Sequence, residues 1–238
     1  NYGKKIKVHG SRDYLQFRKD KILFELVPVL KIKKPEQAKN ITDLSYFHVN
    51  YVLKQIKKNK KISNEIKLAK AFCYSQNCYG AESFIRGFSG YGLELLIGYY
   101  GSFENFLKNM IKVKGKLIID SRKQYRKKKI MFEMNEAKLS SPVIFIDPTF
   151  KQRNALAALS DETFKVFQKK AREFLKTPNL KFFEIQKIDK KNFNLVLEAR
   201  TDRQEGDIAG TKLLKFFRFL SFELEKQFII EKKEFEYN

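Results

Sequence analysis

Two side chains carry groups that suit binding of an anionic ligand. His48 is one of only two histidines in the chain, and an imidazole N–H can donate a hydrogen bond to a phosphate oxygen. Arg153 offers a rigid, planar fork of donors. Each has a plainer alternative: His48 could pack on Phe47 at a helix start, and Arg153 could pair with Asp147 at a strand end. The sequence alone leaves both alternatives open.

Glu25 is a carboxylate on a predicted strand that could face a functional site. It lies in the segment ILFELVPVL, where polar and apolar residues alternate as in a strand. This alternation places Phe24 and Leu26 together on the opposite face. Pro28 restricts the strand to an edge or an end of a sheet. The alternative is that Glu25 simply faces solvent on an edge strand.

Charge points to a polyanionic partner. The 238 residues include 49 Lys and Arg against 27 Asp and Glu, a formal net charge of +22. Residues 108–129 alone hold ten basic residues and one acid, Asp120. Nucleic acid is the leading candidate. An anionic membrane surface is the rival, but no apolar run approaches the roughly 20 residues of a membrane span, and nothing resembles a signal peptide.

The remaining features indicate a cytosolic α+β protein. Cys73 and Cys78 do not have a zinc-ligand spacing and are interpreted as reduced thiols. The first residue is Asn1, so we expect the chain to begin within a longer protein or to have been processed. Strands are predicted in 4–30, 141–148, 180–188, 192–200 and 229–237. Helices are predicted in 44–56, 64–76, 90–112, 159–178 and 210–226, with caps at Thr42 or Asp43, Ser63 or Asn64, GSFE at 101–104, and Ser160 or Asp161.

Four collinear segments resemble the archaeal-type CCA-adding enzymes, a family of tRNA nucleotidyltransferases. The first is YGAESFIRGFSGYGLELLIGYYGSF at 79–103. The others are FHVNYV at 47–52, EIKLAKAF at 65–72, and DPTFKQRNALAALS at 147–160 with the helix AREFLKTP. One such block would be weak evidence, but four in the same order are strong. The resemblance spans roughly residues 20–180.

The resemblance implies an architecture and an activity. Residues 1–45 would be the C-terminal strands of a nucleotidyltransferase palm, 46–178 a helical central domain, and 179–238 the beginning of an α+β tail domain that binds tRNA. The implied activity is addition of CCA to tRNA 3′ ends from CTP and ATP with Mg²⁺ in the cytoplasm. Two bound Mg²⁺ ions would activate the attacking 3′-hydroxyl and steady the leaving pyrophosphate.

Block matching also implies site residues. His48, Lys70 and Tyr79 match the triphosphate-contacting residues of the family, and Arg153 matches its base-reading arginine. Glu25 falls at the third metal-binding carboxylate. We expect these five residues to face one cleft. The RNA-binding candidates are Arg86, Lys112, Lys114, Arg122 and Arg126.

Two departures from the family pattern limit the implied activity. The family's Gly-Ser and Asp-x-Asp nucleotide-binding signature is missing, and the GSR at 10–12 is interpreted as a hairpin turn. Glu25 stands where the family has Asp, and its extra methylene moves the carboxylate oxygens. A separate chain could carry the missing segment. The alternative function is a non-catalytic RNA-binding protein or subunit on the same scaffold, and a nucleotidyltransferase of another RNA is a third possibility.

Overall fold

A computed structural model describes residues 5–8, 12–125, 130–185, 188–201 and 205–237. These residues form an α+β fold. The strands are β1 (Ile6–Val8), β2 (Tyr14–Lys19), β3 (Ile22–Leu26), β4 (Leu117–Ile119) and β5 (Val143–Phe145). The helices are α1 (Ser45–Lys58), α2 (Ile62–Ser75), α3 (Gly90–Tyr100), α4 (Phe103–Met110), α5 (Ile130–Glu133), α6 (Asp161–Lys176) and α7 (Gly206–Glu225).

The N-terminal strands form the predicted antiparallel sheet in the order β1-β2-β3. Leu15 pairs with Leu26 and Phe17 with Phe24, and the two phenylalanine rings stack at 5.1 Å. Because side chains alternate along a strand, these four share one face. Glu25 lies on the other face. The apolar face is partly open to solvent, with Leu26 56% exposed.

A buried carboxylate joins this sheet to the helical domain. Asp43 accepts hydrogen bonds from the backbone of Leu30 (2.8 Å) and Asn40 (3.0 Å), and it pairs with Arg12 at 2.9 Å. The hydrogen bond from Leu30 is the main cause that lowers the pKa of Asp43. The prediction that Thr42 or Asp43 caps the first helix was wrong. Asn40 instead caps a 3-10 turn that leads into α1.

A phenylalanine-rich core holds the helical domain together. Phe72 of α2 is fully buried and its ring contacts Phe103, Phe167 and Phe183. The helices around it begin and end largely as predicted. Ser102 caps α4 and Ser160 caps α6 through their side-chain oxygens. The predicted cap at Ser63 or Asn64 was wrong, because α2 begins at Ile62 with no side-chain cap.

The strand predicted at 141–148 is β5, which is completely buried and pairs in parallel with β4. The parallel partner was not predicted. Asp147 lies just beyond the carboxyl end of β5, and Asp120 lies just beyond that of β4. Because β4 and β5 are parallel, the loops that follow them begin at the same edge of the strand pair.

The C-terminal part holds fewer strands than predicted. Residues Leu180–Phe183 form a 3-10 helix, and the described residues of 188–201 and 227–237 contain no strand. The helix predicted at 210–226 is present as α7. It docks on the central domain, where Asp207 accepts a 2.7 Å hydrogen bond from the backbone of Ser83. In the part of the chain that the structure describes, no helix combines the length and apolar character needed to cross a bilayer.

Candidate functional site

The site is organised around Asp147, which is fully buried at the end of β5. Its Oδ2 atom lies 2.8 Å from Nη1 of Arg153 and 3.0 Å from Nε2 of His48. Its Oδ1 atom accepts hydrogen bonds from the Tyr91 hydroxyl (3.1 Å) and from the backbone and hydroxyl of Thr149 (2.8 and 2.7 Å). The carboxylate therefore contacts side chains from α1, α3 and the loop after β5.

These contacts fix the ionisation of the carboxyl group. Burial raises the pKa of Asp147, but contacts with His48 and the two hydrogen bonds from Thr149 together outweigh burial and hold it well below its ordinary value. Burial, reinforced by the adjacent carboxylate, raises the pKa of the Tyr91 phenol. Asp147 is thus an anion and Tyr91 a neutral donor at neutral pH.

Tyr91 lies between the two predicted ligand-binding side chains. The imidazole of His48 stacks on its ring at 4.1 Å with an interplanar angle of 22°. The Cζ atom of Arg153 lies 5.4 Å from the same ring centroid. His48 and Arg153 are 13% and 17% exposed. The plainer alternative raised for Arg153, a pair with Asp147, is present, and the binding alternative stays a prediction.

Lys70 and Tyr79 adjoin the first turn of the same helix. Lys70 Nζ forms a 2.6 Å ion pair with Glu94 of α3. A Cβ atom placed on Gly90 would lie 2.9 Å from the Tyr79 hydroxyl and 3.9 Å from Lys70 Cε. Gly90 directly precedes Tyr91, so the structure brings His48, Lys70, Tyr79 and Arg153 to the N-terminal half of α3.

The N-terminus of α3 itself favours anions. The helix spans Gly90–Tyr100, and the Ser89 side chain caps it by accepting a 3.0 Å hydrogen bond from the backbone of Gly92. A helix N-terminus carries partial positive charge and free N–H groups. Together with Lys70 and Arg153, this arrangement can hold a phosphate chain beside a planar group.

Glu25 lies apart from these contacts. It accepts a 2.6 Å hydrogen bond from Gln16 across the sheet and is exposed. Over the described ranges of the chain, no group of three His, Cys, Asp or Glu side chains is placed to hold a metal ion. Cys73 and Cys78 are free and buried, and burial raises the pKa of Cys78 to about 12. The described residues alone do not fit a two-Mg²⁺ centre.

The RNA-binding candidates are distributed over several elements. Arg122 lies 5.0 Å from the ring of Tyr51 on α1. Lys112 and Lys114 are exposed after α4. Arg86 is exposed with a φ of +50° and lines a separate cavity with Lys170 and Arg218. Arg126 lies outside the described residues.

Three members of the site are not assigned by the sequence. Asp147 was considered only as a partner of Arg153, and Tyr91 and Glu94 were given no separate role. Asp147 could have been noticed because it ends a buried strand and precedes a proline. For Tyr91 and Glu94, the one signal was their position on the first turns of a helix that opens with a Gly-Tyr-Gly sequence.

Comparison with known proteins agrees with the resemblance drawn from the sequence. Residues 64–184 match the sequence model of the tRNA nucleotidyltransferase second domain. The chain is 38% identical over 224 residues to the CCA-adding enzyme of Nanoarchaeum equitans, covering 93% of this chain and 55% of that protein. It is 35% identical over 199 residues to the CCA-adding enzyme of Methanosarcina mazei, covering 82% of this chain and 41% of that protein. The chain spans about half the length of these curated relatives.

Proposed function

Because this chain belongs to the tRNA nucleotidyltransferase family, we propose that it contributes the nucleotide-binding part of an enzyme that adds CCA to tRNA 3′ ends. The substrates would be tRNA, CTP and ATP, and the compartment would be the cytoplasm. One observation carries the proposal: His48, Lys70, Tyr79 and Arg153 all adjoin the N-terminal half of α3. A protein that binds nucleic acid through positive charge alone would not require these four side chains to lie at one end of a helix.

Each side chain has a role in this proposal. Lys70 and the Tyr79 hydroxyl bind triphosphate oxygens near the positive end of α3. His48 adds a donor from α1. Arg153 presents its guanidinium fork to acceptor atoms on the base, such as O2 and N3 of cytosine or N1 of adenine. The Tyr91 ring lies between these two ends of the ligand.

Mg²⁺ chemistry is proposed only for the assembled enzyme. Glu25 would supply one carboxylate, and a segment carrying Gly-Ser and Asp-x-Asp would supply the others, either from a longer form of this protein or from a separate chain. The exposed apolar face of the N-terminal sheet supports a covering segment, since Leu15 and Leu26 are 43% and 56% exposed. When bound, the metal would activate the 3′-hydroxyl.

Nucleotide binding by the 238-residue chain tests the proposal directly. We expect saturable binding of CTP and ATP by isothermal titration calorimetry, weakened at least tenfold by Lys70→Ala. Lys67→Ala is the matched control, because Lys67 is an exposed lysine on the same helix. The proposal fails if wild-type chain shows no binding up to about 1 mM nucleotide, the upper end of usual substrate requirements.

The second candidate function is RNA binding without catalysis. It is favoured by the lack of a three-ligand metal cluster in the described ranges. Mixing the chain with a segment that carries Gly-Ser and Asp-x-Asp separates the two functions. Incorporation of labelled CTP and ATP into tRNA lacking CCA supports the enzyme, and intact tRNA binding without incorporation supports the RNA-binding protein.

A further inference from the structure

The carboxylate of Asp147 has no remaining capacity to bind a ligand. Two carboxylate oxygens offer about four lone-pair positions. In the structure, Oδ1 accepts three hydrogen bonds, one from Tyr91 and two from Thr149. Oδ2 accepts one from Arg153 and contacts His48 Nε2 at 3.0 Å. Asp147 therefore acts through its neighbours and not on a substrate.

The loop that carries Asp147 is closed on itself. The backbone N–H of Asp147 donates to the carbonyl of Arg153 at 2.9 Å, and the N–H of Arg153 donates to the carbonyl of Phe150 at 3.0 Å. The N–H of Phe150 returns to the Asp147 carbonyl at 3.2 Å. Asp147 and Arg153 are thus held within one hydrogen-bonded loop, whereas His48 lies on α1.

The contacts with Asp147 also determine which atoms remain for a ligand. Nη1 of Arg153 is directed to the carboxylate, and its Nε atom is buried without a hydrogen-bond partner among the described residues, so Nη2 is the nitrogen left for a ligand. His48 Nε2 lies 3.0 Å from Oδ2 of the carboxylate, although this contact does not have hydrogen-bond geometry. The contact with Asp147 therefore fixes one edge of the His48 and Arg153 side chains, and this sets the orientation of the opposite edge of each.

We propose that Asp147 is a positioning residue that couples the base-reading Arg153 to the phosphate-binding His48 through one buried carboxylate. The inference rests on the proposed nucleotide-binding function. A nucleoside triphosphate binds Arg153 through its base and His48 through its phosphates. Because both side chains share Oδ2, displacement of one changes the orientation of the other.

Asp147→Asn tests the coupling, because it keeps the shape of the side chain and removes its charge. Binding of CTP, UTP and inorganic tripolyphosphate to the 238-residue chain is measured by calorimetry. Wild-type chain should prefer CTP over UTP, since N3 of uracil carries a hydrogen and cannot accept from Arg153. In Asp147→Asn, we expect CTP and tripolyphosphate affinities both to fall by about tenfold, and the CTP preference to fall with them.

A double-mutant cycle isolates the shared role. In the wild-type background, the effects of His48→Ala and Arg153→Ala on CTP affinity should deviate from independence by about threefold or more. In the Asp147→Asn background, the two effects should multiply independently. Asp161→Asn, at an exposed aspartate on α6, is the matched control and should leave the coupling intact.

The possible results distinguish failure of this inference from failure of the proposed nucleotide-binding function. If wild-type chain binds no nucleotide, the proposed function fails. If wild-type chain binds CTP selectively and Asp147→Asn retains that affinity, selectivity and coupling, the positioning role is refuted and the function stands. If Asp147→Asn does not fold, Thr149→Val removes only the 2.7 Å hydroxyl donor to Oδ1. That variant should weaken CTP and tripolyphosphate together by a few-fold, and unchanged binding of both refutes the inference.

Discussion

Replacing Gly90 with alanine would press a methyl group against the hydroxyl of Tyr79. The added Cβ atom would lie 2.9 Å from that oxygen, whereas ordinary contacts begin at 3.4 Å. The tyrosine ring must therefore move by about 0.5 Å. A hydrogen bond from the Tyr79 hydroxyl to a charged phosphate oxygen is worth about 1.5–3 kcal/mol, so its loss on displacement corresponds to about tenfold in affinity. We expect CTP and ATP affinity to fall by this factor.

Gly98→Ala provides the matched control on the same helix. Its added Cβ atom would meet only Gln55 Cγ, at 3.9 Å, an ordinary contact. Alanine in place of glycine stabilises a helix by about 0.5–1 kcal/mol. Gly98→Ala should therefore raise the melting temperature and leave nucleotide affinity unchanged.

Calorimetric titration with CTP and thermal unfolding monitored by circular dichroism measure the two effects separately. A folded Gly90→Ala chain that binds CTP as tightly as the wild type would show that Tyr79 and Lys70 do not line the nucleotide site. A parallel loss of affinity in Gly98→Ala would show that the effect comes from general changes in α3.

Three further predictions concern stability and RNA binding. Phe72→Ala should lower the free energy of unfolding by about 3–5 kcal/mol, because it leaves a cavity at the centre of the core. The control Phe132→Ala, at a ring that is 89% exposed, should change the free energy of unfolding by less than about 0.5 kcal/mol. Urea denaturation measures both values. The pKa of Asp147 is lowered in the folded state from an ordinary 3.8, so its contribution to stability is present above that pH and disappears as the pH falls toward the folded-state value. The wild-type melting temperature should therefore drop more steeply below pH 4 than that of Asp147→Asn. Replacing both Lys112 and Lys114 with alanine should weaken tRNA binding. The slope of the logarithm of the tRNA association constant against the logarithm of the salt concentration should become shallower by about 0.7–0.9 for each phosphate that is no longer neutralised. An unchanged slope in filter-binding assays would exclude both lysines from the RNA-binding surface.

Local signals were sufficient for the helical domain. Ser102 and Ser160 precede apolar residues at helical spacing, and both cap the helices expected of them. The sheet in 4–30 was also predicted, because its strands are neighbours in sequence and alternate clearly. In such segments, propensity, patterning and capping all favour the same structure.

Long-range pairing was not predictable in the same way. The strand β4 is only three residues long and lies inside the basic run, and its partner β5 is far along the chain. The segment NFNLVLEAR has strand-like composition, yet its residues form no ladder in the structure. Alternating apolar and polar residues alone do not supply a partner strand.

The site was only partly predictable for a related reason. His48, Lys70, Tyr79 and Arg153 were found by resemblance, because each belongs to a recognisable block. The role of Asp147 depends on contacts from α1, α3 and its own loop, which meet only after folding. The position of Asp147 at a strand end before a proline can be noticed in the sequence, but its partners in the network cannot.

The Asp43 network has a consequence for the position of the N-terminal strands. Arg12 donates hydrogen bonds to the carbonyl of Pro28 at 2.9 Å and to Asp43 at 3.1 Å, so it joins the segment after β3 to the turn before α1. Asp43 lies about one helical turn before His48. Because Glu25 lies on β3 and His48 on α1, we expect that loss of the Arg12 contacts would change the position of Glu25 relative to His48 while both residues stay unchanged.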